Sequence, residues 1–194
     1  MEIVTEILKI LLKDFTVKHT ITSISKTLGV SRAGIWKILK RLESEKLVIL
    51  SPIGEGKTSV YNVSLSFSNP LTEKRLELYL AEAAQSNERW LINFEELKDS
   101  VDFLIIYGSI LHSPKDAGDI DILSVAKRSN LNTLNNAIPK LQKIQIKKIH
   151  ALNFTEEELK IELKKKNKAF IDAIKKGVVL FGHEKFIKFI KEMA

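Results

Sequence analysis

Apolar residues recur at helical spacing from the start of the chain. Ile3, Ile7, Ile10 and Leu11 predict a helix from Glu2 to about Asp14. Thr22 to Leu28 reads as a short second helix closed by Gly29-Val30. Ser31 then stands as the cap of a third, reaching about Glu45 with Ile35, Ile38, Leu39 and Leu42 inward. Two strand-like runs follow, Leu47 to Leu50 and Ser59 to Leu65, separated by the turn-forming stretch Ser51 to Thr58. After the polar break Ser66 to Pro70 the helical period returns from Leu71 to about Leu97, with a kink expected near Gln85-Ser86-Asn87. The pattern changes again at Val101 to Tyr107, an apolar run that stops at Gly108-Ser109, and a second short run opens at Asp119. Asn130 to Leu141 predicts a helix crossing back to a strand near Ile144 to Leu152. Thr155 with Glu158 has the spacing of a capping box, and the remaining chain is helix-rich around Gly177 and the apolar stretch Val178 to Phe181. These elements predict an α+β protein of two domains: residues 1–67, a linker helix over 68–86, and a mixed sheet with flanking helices over 87–194.

In the first domain, two helices joined by a tight glycine-containing turn make a helix-turn-helix. Three helices and a β-hairpin resemble the winged helix-turn-helix of prokaryotic transcription regulators. The phrase Ile24 to Leu42, ISKTLGVSRAGIWKILKRL, is similar to that family's core over its whole length. The resemblance implies double-stranded DNA as a partner, with the third helix in the major groove. Ser31, Arg32, Gly34 and Lys37, and farther along Lys40 and Arg41, are then the residues facing DNA, and Lys57 at the wing tip reaches an adjacent phosphate. Such domains also mediate dimerisation or packing; the basic third helix favours DNA. Trp36 reads equally well as core or as surface. The helix after residue 67 reads equally as a linker or as a dimerisation arm, and a homodimer is the expected assembly.

The chemistry lies in Leu104 to Val125, LIIYGSILHSPKDAGDIDILSV. Asp119 and Asp121 stand ten and twelve residues after Ser109 and alternate with Ile120 and Ile122. Period-two alternation puts both acids on one face of a strand. Two adjacent carboxylates repel unless something neutralises them, and a hard divalent cation with oxygen ligands is the usual solution. Gly108 allows close backbone approach to a ligand, and a helix-like turn at Ser109 offers N–H groups to phosphate.

Gly-Ser, this spacer and Asp-x-Asp between apolar residues resemble the nucleotidyltransferase superfamily related to DNA polymerase beta. The glutamate-rich helix, Asn167-x-x-Phe170-Ile171 and GVVLFG resemble the C-terminal part of its minimal bacterial and archaeal members. The resemblance implies Mg2+-dependent transfer of a nucleoside monophosphate, AMP from ATP foremost, to an acceptor hydroxyl. Asp119 and Asp121 would hold metal; Gly108 and Ser109 would cradle phosphates, with Lys115 helping to neutralise them. The superfamily places a third carboxylate on the next strand, but Lys143 to Phe154 contains no Asp or Glu. His150 is the substitute as a catalytic base; it reads equally as a strand-surface histidine or one bonded to backbone. Lys147 and Lys148 are alternative triphosphate contacts. The missing acid also admits a regulator whose degenerate transferase domain senses nucleotide or binds a partner. Minimal members paired with small HEPN-type proteins act as antitoxins by adenylylating them, which adds such a protein as an expected partner.

Composition narrows the setting. No cysteine is present, so disulfides and thiolate metal sites are excluded. The apolar stretches fall short of the ~20 residues of a membrane span, and the N-terminus lacks the pattern of a secretory signal. A cytoplasmic protein is expected. The net charge of +7 is unevenly spread: +4 over residues 1–67, −4 over 68–139 and +7 over 140–194. An acidic middle between basic ends suits a metal site flanked by surfaces that attract polyanions. At the C-terminus the lysines serve equally to solubilise helices.

Overall fold

The chain is an α+β protein, seen here in a computed structural model that describes residues 2–54 and 60–193. It divides into two compact units, one extending through Tyr79 and the other running from Leu80 to Met193.

The first unit opens with α1 (Glu2–Lys13), a two-residue strand β1 (His19–Thr20), α2 (Ile21–Leu28) and α3 (Arg32–Ser44). Thr20 and Ser23 form a reciprocal capping box at the start of α2. Gly29 ends that helix in the left-handed region at φ 65°, where glycine carries no steric penalty. Strands β2 (Val48–Ile53) and β3 (Val60–Leu65) pair antiparallel, and β1 adds to the far side of β3 to give the order β1-β3-β2. The sequence pattern gave no hint of β1, since two residues carry no period. Strand β2 also reaches three residues into the stretch expected to be loop.

Ile7, Leu8, Leu11 and Leu12 of α1, Ile24 of α2, and Ile35, Leu39 and Leu42 of α3 are all buried, as are Val48, Leu50, Val63 and Leu65 of the hairpin. Ile3 is exposed, so the inward stripe of α1 includes Leu8 and Leu12 rather than Ile3. Helix α4 (Pro70–Gln85) follows, and the boundary between the units falls within it.

The second unit is a four-stranded mixed sheet with helices on both faces. Its elements are α5 (Glu88–Asn93), a 3-10 helix (Glu95–Ser100), β4 (Phe103–Tyr107), β5 (Asp119–Val125), α6 (Arg128–Gln142), β6 (Lys148–Phe154), α7 (Glu156–Lys164), α8 (Lys168–Lys176), β7 (Val178–Phe181) and α9 (His183–Met193). The strand order is β6-β5-β4-β7; β5 and β6 are parallel, as the α6 crossover requires, and the other pairs are antiparallel. On one face Ile120, Ile122, Leu104, Ile106 and Ile149 pack with Trp90, Phe94 and Leu97 and with Leu134, Ala137 and Leu141 of α6. Phe103 meets Phe186 edge-on and Phe189 at a tilt, both on α9, at ring separations of 5.4 and 5.3 Å.

The expected kink after Gln85 is a full break between α4 and α5. Strand β6 begins at Lys148 rather than near Ile144, and Ile144 and Ile146 are exposed. Their alternation is overridden by Gln142, which donates to the carbonyls of Gln145 and Lys147 and accepts from the Ile149 N–H. Gly177 ends α8 with φ −73°, so left-handed backbone is not its role. A Cβ there would lie 2.5 Å from Ile105 Cγ2 and 2.9 Å from the Ile106 carbonyl, and the glycine instead permits α8 to meet β4. Thr155 and Glu158 form the expected capping box at α7.

Candidate functional site

The parallel register of β5 and β6 sets Asp121 beside His150 and Asp119 beside Lys148. Both acids and His150 therefore rise from one face at the starting ends of two adjacent strands. His150 Nδ1 lies 3.0 Å from Asp119 Oδ2 and 3.6 Å from Asp121 Oδ1. One donor atom from each of the three residues falls within 4.8 Å of the others. All three side chains remain partly open to solvent.

The two carboxylates are not equivalent. Burial pushes the Asp121 carboxyl above its ordinary range, the neighbouring Asp119 charge pushes the same way, and His150 partly offsets both. Tyr107, which pairs directly with Asp121 across β4 and β5, has its phenol raised first by burial and then by Asp121 and Asp119. Sequence reading did not single out Tyr107. Its place directly before Gly108-Ser109, at the end of a strand antiparallel to the Asp-x-Asp strand, is the signal that could have found it.

Gly108 turns the chain away from β4 with φ 85° and ψ −164°, a region essentially reserved for glycine. A Cβ at this position would stand 2.5 Å from Asp121 Oδ2. The Ser109 carbonyl then accepts from the N–H groups of His112 and Ser113, and the Ser113 carbonyl accepts from Asp116 and Ala117, so the connection to β5 is a pair of successive turns. Ser109 opens a three-residue 3-10 turn and is exposed, beside the acids by its position after Gly108. Lys115 is also exposed, and what the structure fixes there is its carbonyl. The Lys147 ammonium donates to the carbonyls of Lys115 (3.1 Å) and Ala117. Lys147, weighed in the sequence as a triphosphate contact, thus holds the loop that leads into Asp119.

A divalent cation fits the two carboxylates, which supply the oxygen donors that hard ions take. The third donor, an imidazole, is not a magnesium-type ligand.

In the first unit, Ser31 accepts from the Gly34 N–H at 3.1 Å and caps α3. A Cβ on Gly34 would crowd Ser31 Oγ at 3.1 Å and Val30 at 3.2 Å, so Gly34 serves the cap. Arg32 and Lys37 are exposed and make no ion pair among the described residues. Lys40 pairs with Glu43 at 2.6 Å and sits 5.3 Å from the Trp36 ring centre; Arg41 pairs with Glu45 at 3.7 Å. Trp36 is half-buried against Tyr61 of β3, joining helix and hairpin. Lys57 lies outside the described residues. No helix among the described residues is long and apolar enough to cross a membrane.

No protein-family model matches the chain, and no curated protein matches it. Among solved structures, the heme sensor protein PefR from Streptococcus agalactiae, in complex with heme, is similar with 16% identity. The match covers 72% of this chain and 71% of that one, at a TM-score of 0.34. The likeness is slight.

Proposed function

We propose that this chain joins a winged helix-turn-helix DNA-binding domain to a minimal nucleotidyltransferase. The transferase moves a nucleoside monophosphate, AMP foremost, from a triphosphate to an acceptor hydroxyl. The observation that carries the reading is the convergence of Asp119, Asp121 and His150 across β5 and β6, directly beside a Gly108 whose missing Cβ makes room for Asp121. Asp119 and Asp121 would hold a divalent cation, whose charge neutralises a bound triphosphate and its leaving pyrophosphate; magnesium is the ion that the family resemblance implies. Gly108 and Ser109 would lie against the phosphates. The acceptor oxygen bonds to the α-phosphorus as the bond to the pyrophosphate oxygen breaks, and the hydroxyl proton passes to solvent. In the first unit, Arg32 and Lys37 offer unneutralised cations on α3 beside its capped N-terminus, as a helix entering a major groove would.

A second reading has one specific support. His150 occupies the strand position where a third carboxylate is expected, which favours a domain that binds nucleotide and signals without turning it over. One assay separates the two. Incubating the chain with α-labelled ATP and candidate protein or RNA acceptors should transfer label, and the double variant Asp119→Asn, Asp121→Asn should transfer none. Nucleotide binding in the wild type without any transfer would favour the sensor; no binding at all would sink both.

A further inference from the structure

The nitrogen among the three donors changes which cation the site suits. Magnesium demands near-ideal octahedral geometry from oxygen ligands and dehydrates reluctantly. Imidazole suits iron, nickel, copper and zinc; manganese, which otherwise takes the oxygen ligands of magnesium, stands at the weak end of the same affinity series and is the most stringent member to test. Distances agree with this. Two ligands each bonded at about 2.0–2.1 Å to one tetrahedral or octahedral ion lie about 2.8–3.4 Å apart. His150 Nδ1 stands 3.0 Å from Asp119 Oδ2, within that range, and 3.6 Å from Asp121 Oδ1, just beyond it; with one donor atom from each residue within 4.8 Å of the others, side-chain adjustment suffices to bring all three to a common ion. The placement is fixed by backbone pairing, since Asp121 and His150 are register partners over a seven-residue parallel ladder. The partial exposure of all three leaves the remaining coordination positions open to water or substrate.

We propose that Asp119, Asp121 and His150 form a site for a first-row transition ion of the manganese-to-zinc series. This ion is bound in preference to magnesium, with His150 Nδ1 as its nitrogen ligand. The inference rests on the same triad as the transferase reading, but not on turnover. It assigns His150 to holding the ion and not to taking the acceptor's proton.

The test uses the full chain, without nucleotide, and Mn2+ as the probe. Spin-echo EPR of the bound Mn2+ should show modulation from an imidazole nitrogen. His150→Ala should abolish that modulation and weaken Mn2+ binding by a factor on the order of ten or more, at least what losing a metal's outer-sphere partner does. Mg2+ affinity, measured by competition against Mn2+, should change little. His150→Asp, which restores an oxygen donor, should also lack the nitrogen signal and narrow the preference for Mn2+ over Mg2+. The assignment is overturned if wild type shows no nitrogen modulation, if His150→Ala binds Mn2+ unchanged, or if Mg2+ competes as well as Mn2+. Nitrogen modulation in a chain that transfers no label would retain the ion site and remove the transferase. Label transfer with Mg2+ and no nitrogen signal would do the reverse.

Discussion

Gly108 carries two demands at one position. Its backbone lies where side chains are strained, and its Cβ would fall against the Asp121 carboxylate. Gly108→Ala should therefore cost about 1–3 kcal/mol in urea unfolding and weaken metal binding in calorimetric titration as Asp121 is displaced; an alanine variant equal to wild type in both would show that the turn yields freely. Asp121 makes a prediction of opposite sign. Because burial and Asp119 raise its carboxyl in the folded chain, the native state holds that proton more tightly than the unfolded state does. This contribution to stability is present below the ordinary carboxyl range and lost as pH rises through the raised value. In chelator at neutral pH, Asp121→Asn should melt at a higher temperature than wild type, and the difference should vanish in acid. Wild type melting equal or higher at neutral pH would refute the burial account. At this scale the acids were legible in the sequence because alternation within one strand fixes a shared face. The His150 contact was not, because its 3.0 Å approach to Asp119 depends on a register between strands separated by α6.

The elements divide between those that local chemistry dictates and those that tertiary contacts override. The α7 capping box could be read from Thr155 and Glu158 alone, since both partners lie within one turn. Thr155→Ala should cost about 1 kcal/mol, read as a lower urea midpoint with unchanged slope; a midpoint within error of wild type would mean that packing, not the cap, sets that helix's start. Strand β6 shows the opposite case. Ile144 and Ile146 alternate as a strand should, yet the Gln142 amide, donating two hydrogen bonds and accepting a third, holds the chain off the sheet until Lys148. The Lys147 bonds to the 115–117 loop span some thirty residues and leave no mark in any window of sequence. The α1 stripe was displaced for a simpler reason: Ile3, Ile7, Leu8, Leu11 and Leu12 offer overlapping apolar faces, and only packing against α2 and β3 chooses among them.

Over the whole molecule, the positive charge of the first unit and the Asp119, Asp121 and His150 cluster of the second are separable properties. The intact chain should bind duplex DNA with an affinity that falls steeply as salt rises, because lysine and arginine release condensed counterions. Arg32→Ala should weaken a cognate site by about 1–3 kcal/mol, while the Asp119→Asn, Asp121→Asn pair leaves DNA binding unchanged in a salt titration. Failure to bind any duplex at low salt would leave the first unit an interaction module. Strand β6 has a strand neighbour on one side only among the described residues. Border strands open more readily than central ones, since a single ladder holds them. An ion gripped at once by β5 and His150 would act as a rivet along this border. Occupancy of the site would then be felt as mechanical closure of this border, a side-chain cross-link added to a join that the backbone ladder alone otherwise makes.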